Sequence, residues 1–542
     1  MNERQIYWGE THHNTYTSQT QPVPIPDVLA FARSHLDFYS GAYYLPVMSR
    51  ILPLPERLPK SVQQIDGHPV EQGPGPAWRG FFSETTKPME RIAREWAEFS
   101  AAMTAAHEPG RFITFPGFEW QGDGTWGDHN VMYKREGLPV HVVETLPELY
   151  GRLRGVEAIA IPHHIGYQRG LRAPRWEFCD ETISPYAEIF SIHGCSETDE
   201  EWMGGLRHNS HMGPGFGEGS WQAALNAGLH LGAICSTDNW QNVPGCWGQG
   251  LMACLATGLT RDSVWDAFRS RRVYGVTGDR IELDFTVNGA PMGSILGPVA
   301  KRVIQVEARG WDAIDRIQLL RNGRVIATHN HQGTWEIPAT NSLCRYRWRI
   351  ETGWGPRLGE LPFGEHKWDG EVQLSGGRFT NWSPCWTGRG QGTPQLNGER
   401  AQFRLVSAQS AVGNPFQVGL VLEFETQPNA ELALKLNGQT VRDCVAGFAA
   451  GSRLVWDKGT TLAMIRELTG TDPATLDRQD PLIYHMAFKA KLHRAIPESG
   501  YTARLSFTDD EPLTRETHYR VRVEQRNGQR AWSSPIWVGA GK

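Results

Sequence analysis

The amino-acid sequence predicts an α/β protein: a distorted, TIM-like β/α barrel over residues 1–280, followed by a β-rich, sandwich-like region over 281–542. Three observations carry that expectation. Short apolar runs alternate with helical patterns through the first half, as in βα units around a largely parallel sheet. Beyond residue 280 the texture changes to alternating strands joined by Asn-Gly at Asn288, Asn322, Asn437 and Asn527, a pair that favours tight hairpin turns. A chain of 542 residues also exceeds what one hydrophobic core ordinarily serves, so more than one domain is expected.

Strands are expected at 36–39, 112–115, 158–161, 187–191 and 231–235. A helix is expected over 88–103, where Ile92, Trp96, Phe99 and Met103 recur at helical spacing and Pro88 suits a first turn. A second begins near Thr260 and turns Val264, Ala267 and Phe268 inward. In the later half, RIQLLRNGRVIAT from Arg316 and YRVRVEQRNGQRAWSSPIWV from Tyr519 read as hairpins. Residues 353–398 and 456–492 read as irregular insertions, the latter with helical patches.

Composition narrows the partners. With 54 basic and 59 acidic residues, net charge −5, no overall positive field draws nucleic acid. The opening MNERQIYWGETHH lacks the apolar run of a secretory signal, and no stretch reaches membrane-spanning length. The reading is a cytoplasmic protein acting on a small-molecule substrate, with a homo-oligomer possible through the second half. Eight cysteines are scattered without a CxxC pair, which suits reduced thiols.

The chemistry concentrates in the first half, which holds 13 of the 19 histidines. Polar residues able to bind a metal repeatedly follow a strand, the position where β/α barrels build active sites. YWGETHHNT carries His12, FITFPGFEW ends in Glu119, AIAIPHH in His163 and His164, AEIFSIHG reaches His193, and LGAICSTDNW reaches Asp238. Imidazole and carboxylate suit one or two divalent ions such as Zn, Mn or Fe, with Glu119 able to bridge a pair. A bound ion lowers the pKa of its water to about 7, which makes hydrolysis the default chemistry. A lone histidine is usually a satisfied or exposed one; five positions in strand-terminal order are harder to dismiss.

As an ordered set, GETHHNT, the LDF of Leu36 to Phe38, GFEW at Gly117, PHH at Pro162, EIFSIHG at Glu188 and STDNW at Ser236 resemble the PHP (polymerase and histidinol phosphatase) superfamily. The likeness is to an uncharacterised branch with a long C-terminal β-rich extension, and it continues through TRDSVWDAFRSRRVYGVTGDR and AWSSPIWV. It implies a PHP-type barrel, phosphoesterase-like hydrolysis and up to three metals. The set departs from the family at Asn14, Tyr43, Tyr44 and Trp240, so the resemblance implies that the third metal position is lost. The ligands it carries over are His12, Glu119, His163 or His164, His193 and Asp238. Strand alternation sends neighbouring side chains to opposite faces; of the two, His164 is taken as the ligand and His163 as a substrate contact. His13 should point away from His12.

His129, with Asp128 beside it as an orienting partner, and Tyr43 and Tyr44 are candidates for acid, base or substrate contact. Asn14, Trp120 and Trp240 are substrate-side candidates. Arg169 reads either as a surface arginine or as a contact for an anionic group. Glu188 sits in an apolar strand, where a purely structural role is open. The glycine-rich segment 204–219, with His208 and His211, reads as a lid or an exposed loop. Trp8, Trp126 and Trp247 beside the motifs suggest an aromatic-walled pocket for a sugar or aromatic molecule. Against hydrolysis of a phosphate, other ester or glycoside bond stand two alternatives: a metal-dependent lyase, and a barrel that binds without turnover.

Overall fold

The computed structural model describes residues 4–18, 20–52, 64–65, 68–69, 86–199, 217–333, 335, 342–356, 365–408, 417–475 and 485–540. The chain opens with β1 (Gln5–Thr15), α1 (Ile25–Arg33), β2 (Phe38–Tyr44) and α2 (Met89–Ala106). Then come β3 (Gly117–Trp120), β4 (His129–Tyr133), α3 (Leu146–Leu153) and β5 (Ala158–Pro162). The half closes with β6 (Tyr186–Ser191), β7 (Gly232–Cys235), β8 (Leu251–Ala256), α4 (Arg261–Arg269) and β9 (Val273–Val276).

The two anticipated helices form for locally visible reasons. α2 buries Ile92, Phe99 and Met103 on one face. In α4 the Thr260 side chain accepts from the Ser263 N–H, filling one of the donors a helix start leaves open, while Val264, Ala267 and Phe268 are buried.

The largely parallel sheet does not appear; pairing is mixed. β1–β2, β2–β3 and β6–β7 are parallel, whereas β3–β4, β4–β5, β1–β8 and β8–β9 are antiparallel. The reason lies between β3 and β4. Gly122, Gly124 and Gly127 all take positive φ, so the chain folds straight back as a hairpin instead of crossing over through a helix.

Four later strands extend this sheet: β10 (Ile314–Arg321), β11 (Arg324–Asn330), β12 (Thr517–Gln525) and β13 (Arg530–Ser533). The 14-stranded sheet follows the path β5-β4-β3-β2-β1-β8-β9-β13-β12-β10-β11, with short strands off it. Among the described residues this ladder stays open and does not close into the expected barrel; β6 and β7 stand in a separate three-stranded sheet. That sheet nevertheless packs closely: a Cβ on Gly275 of β9 would collide with Cys235 Sγ of β7.

Hydrogen bonding and the core both run across residue 280. β9 pairs with β13, and Tyr39 and Phe118 share a buried cluster with Phe285, Ile317, Val521 and Ile536. Between residues 344 and 497, two five-stranded antiparallel sheets share a core of their own, with Tyr346, Trp348 and Ile350 facing Trp368, Val372 and Leu374. The stretch 353–398, read as irregular, holds two long strands, Glu365–Leu374 and Gly377–Cys385, and the short Gln395–Asn397. Its alternation is real, but the inward positions of the first strand include His366 and Gly370, which dilutes the apolar signal. Among the described residues of 456–492, helical patches include Lys458–Thr469 and the short turn Pro473–Thr475.

Two buried polar knots join distant segments. Glu197 accepts from Trp532 Nε1 at 2.7 Å and Arg522 Nη1 at 3.0 Å, and pairs with Arg520. Asp279 accepts from Trp247 Nε1 at 2.8 Å and Gln525 Nε2 at 2.7 Å, and pairs with Arg349. Buried carboxylates persist only when so partnered. The eight cysteines are free thiols. No helix among the described residues is long and apolar enough to cross a membrane.

Candidate metal centre

The second half of β1 is buried, and it carries Glu10, His12 and Asn14 alongside β2 and toward β6 and the loop after β7. Glu10 braces this corner by accepting backbone N–H groups of His12 at 2.9 Å, Thr237 at 3.1 Å and Gly245 at 3.1 Å. The loop after β7 is thereby drawn onto β1, and Asp238 N donates to the His12 carbonyl at 2.7 Å.

Around His12 the site assembles. Its Nδ1 lies 2.9 Å from Glu188 Oε2 on β6, and its Nε2 lies 3.1 Å from Asp238 Oδ1 and 3.9 Å from Glu119 Oε2. His163 Nε2 lies 3.6 Å from Glu119 Oε1. On the other side of Asp238, Oδ2 meets His164 Nε2 at 2.6 Å and His193 Nε2 at 3.0 Å. Asn14 Nδ2 donates to Asp238 Oδ1 at 3.0 Å.

All five sequence-predicted ligands, and His163 with them, therefore converge. Four triads place their ligand atoms within 4.8 Å of one another: His12–Glu119–His163, Asp128–His163–His164, His164–His193–Asp238 and His12–Glu188–Asp238. Asp238 belongs to two of these triads and Glu119, the bridging candidate from the sequence, to one.

The donor set fits a cation. His12 Nε2, Glu119 Oε2 and both ring nitrogens of His163 are buried without a hydrogen-bond partner among the described residues. Leaving such groups unsatisfied is costly, and a divalent ion shared by imidazole and carboxylate would satisfy them together. Burial would raise the Glu119 pKa, but the imidazoles of His12 and His163 outweigh it and hold the carboxyl well below its ordinary range. Burial pushes His163 down to about 4 and His164 to about 3, so both are neutral, the form that binds metal.

Adjacent His163 and His164 both reach the site because alternation no longer governs them. β5 ends at Pro162, and His164 takes a left-handed backbone, φ 53°. His13 does turn away, its Nδ1 lying 2.7 Å from Tyr39 Oη.

Other candidates fall elsewhere. Tyr43 donates to Glu95 Oε2 at 3.0 Å beneath α2, because β2 points it to the opposite side from Tyr44. Tyr44 lies near Glu119 and Arg172; burial first, then Glu119, raises its pKa. Trp120 is fully buried in the core and donates to the Val143 carbonyl at 2.9 Å. His129 rests its Nδ1 3.0 Å from the Gly127 carbonyl between Trp120 and Tyr150; burial lowers it to about 3. Asp128 orients His164, not His129, through a 3.0 Å contact with Nδ1. Arg169 pairs with Glu177 at 2.5 Å on a partly exposed surface. Trp240 is 41% exposed and stacks on His193 with centroids 6.1 Å apart. Residues 200–216, which include His208, His211 and most of the suggested lid, lie outside the described residues.

Three participants escaped the sequence: Arg172 against Asp128, Glu188 as the partner of His12, and Tyr167, which stacks on His164 at 4.6 Å and meets His193 Nδ1 at 3.2 Å. Glu188 gave a faint signal as a charge in an apolar strand. Arg172 and Tyr167 lie in the loop after β5, where no periodicity marks them.

Residues 191–290, which include His193 and Asp238, match the family described as "Protein of unknown function (DUF3604)". An uncharacterized protein of Chlamydia trachomatis is 27% identical over 212 residues, which cover 35% of this chain and 32% of that one. One of Chlamydia pneumoniae is 25% identical over 261 residues, covering 43% and 40%. The chain thus spans well under half the length of these relatives. Among solved structures, a two-domain protein of Bacteroides vulgatus described as containing a predicted PHP-like metal-dependent phosphoesterase is similar at a TM-score of 0.33 and 10% identity, over 58% of this chain and 79% of that one.

Proposed function

We propose that this chain is a metal-dependent hydrolase of the PHP type, holding one or two divalent ions (Zn, Mn or Fe) and cleaving a phosphate or other ester-type bond in a small molecule. The observation that carries the reading is the convergence of orphaned, buried ligand atoms from His12, Glu119 and His163 beside the Asp238 carboxylate. A divalent ion there supplies Lewis acidity and a water of lowered pKa.

The chain's own residues do the rest. Glu188 holds the proton on His12 Nδ1 and so leaves Nε2 to face inward. Tyr167 backs both His164 and His193. Tyr44, beside Glu119 and Arg172, is placed to contact the substrate or move a proton. Exposed Trp240 offers a face on which a sugar or aromatic ring can stack, which supports a ring-bearing substrate.

Purified protein should carry metal by elemental analysis and hydrolyse one of a panel of phosphate, carboxylate-ester and glycoside substrates, and Glu119→Ala should lose turnover and the metal held with His12 and His163. Metal-replete protein that converts a panel member by elimination instead of hydrolysis refutes the hydrolase reading in favour of a lyase. Absence of metal and turnover refutes both.

A further inference from the structure

The Asp128–His163–His164 triad offers a place for one more ion, and Asp128 Oδ1 and the His163 ring nitrogens are without a hydrogen-bond partner there among the described residues, yet Asp128 Oδ2 and both nitrogens of His164 are already committed. Asp128 Oδ2 lies 3.0 Å from His164 Nδ1 and against the Arg172 Nε. His164 turns its other nitrogen, Nε2, to Asp238 Oδ2 at 2.6 Å, into the triad with His193. A neutral imidazole binds one ion through one nitrogen and keeps its proton on the other. Once Nε2 serves the Asp238 side, Nδ1 is an N–H donor with Asp128 as its acceptor.

We propose that Asp128, neutralised by Arg172, is a positioning residue that fixes the His164 tautomer instead of ligating a cation, so that the centre holds two ions. The inference rests on the metal-dependent reading above.

Independent features support it. His12 shows the same arrangement, with Nδ1 2.9 Å from Glu188 and Nε2 orphaned toward the site. Two imidazoles are thus backed by buried carboxylates in the same sense. The Arg172–Asp128 contact is also built in by the main chain: Arg172 N donates to the Gly124 carbonyl at 2.9 Å, and Asp128 N donates to the Arg172 carbonyl at 3.2 Å. Arg172 takes a left-handed backbone, φ 67°, which a non-glycine residue keeps only where its surroundings over-determine it. Its Nη2 reaches to 3.5 Å from Glu119 Oε1, so a fixed positive charge stands where a further cation would have to approach. Two divalent ions and this guanidinium together match the formal charge of the buried carboxylates Glu10, Glu119, Asp128, Glu188 and Asp238.

The test counts metal in the full chain, stripped with chelator and reloaded with Zn²⁺, for wild type, Asp128→Asn and Asp128→Ala. Two ions are expected in wild type and in Asp128→Asn, whose amide carbonyl still accepts from His164 Nδ1. Asp128→Ala should hold one of its ions on the order of 10- to 100-fold more weakly. Three ions or one in wild type, one in Asp128→Asn, or unweakened binding in Asp128→Ala overturns the proposal. If the variants fail to fold by circular dichroism, the wild-type count decides. A wild type that binds no metal refutes the metal-centre reading itself, and the inference falls with it.

Discussion

His164 Nε2 and Asp238 Oδ2 lie 2.6 Å apart across 74 positions of sequence, and both residues hold left-handed backbones, φ 53° and 50°. Each such conformation costs a non-glycine residue on the order of 1–3 kcal/mol. The strain is spent where a strand ends and its next side chain must be turned inward, so that an imidazole after β5 and a carboxylate after β7 meet.

Because Asp238 alone serves both the His12 side and the His164–His193 side, Asp238→Ala should lose more metal than any single histidine variant. Affinity is expected to fall by more than about 100-fold, beyond the loss typical of an outer partner. His193→Ala should spare the His12–Glu119–His163 triad. Elemental analysis of the two variants checks this; equal, partial losses contradict the shared-carboxylate geometry.

Metal removal should destabilise the first half. A ligand that binds only the folded state at a hundredfold excess over its Kd contributes about 2.7 kcal/mol. The thermal midpoint should drop on chelation and recover on reloading, as followed by calorimetry. A midpoint indifferent to chelator argues against an ion at the orphaned ligands.

The neighbouring tyrosines of β2 should separate. Tyr43→Phe removes a hydroxyl bonded to Glu95 away from the site, costing about 1 kcal/mol of stability without changing turnover. Tyr44→Phe acts beside Glu119 and should reduce kcat with little change in the melting midpoint. Matched kinetic and melting measurements on the pair are decisive, and loss of turnover in both would remove the distinction.

Glu197 ties the loop after β6 to β12 and β13. Burial would raise its carboxyl, but Arg520 and Arg522 overcome that and hold it at about 2, below the ordinary 4.5. Its folded pKa is depressed, so its contribution is complete above about pH 4.5 and is lost as pH falls through about 2, amounting to about 3 kcal/mol. Glu197→Gln should unfold at lower urea at neutral pH and show a flatter stability profile between those pH values. Parallel profiles for wild type and variant would leave the ion pair without this role.

Trp240→Ala should raise KM for a ring-bearing substrate while leaving the bound metal unchanged, since the indole stacks on His193 from the solvent side. Loss of metal from this variant would assign the indole to support of the centre.

The ligand residues were legible because each lies in or just after an apolar, strand-forming run, and such runs carrying His, Glu or Asp leave a pattern in the chain. His12, Glu119, His193 and Asp238 were visible for that reason, and the start of α4 near Thr260 was visible from its helical periodicity. The glycines at 122, 124 and 127 were visible too, but their consequence, a hairpin in place of a crossover, depends on three backbone angles and not on hydrophobic pattern.

What the sequence determined by itself was part of the inventory: several of the strands, the apolar faces of α2 and α4, and which residues carry metal-binding chemistry. Local periodicity encodes all of that. The tertiary structure alone decided the partnerships: Glu188 with His12, Asp128 with His164 and Arg172, Glu197 with β12, and the continuation of the main sheet through β13 and β12. These contacts join residues tens to hundreds of positions apart. Their energy comes from satisfying buried charges against one another, a condition that exists only after the chain has closed around them.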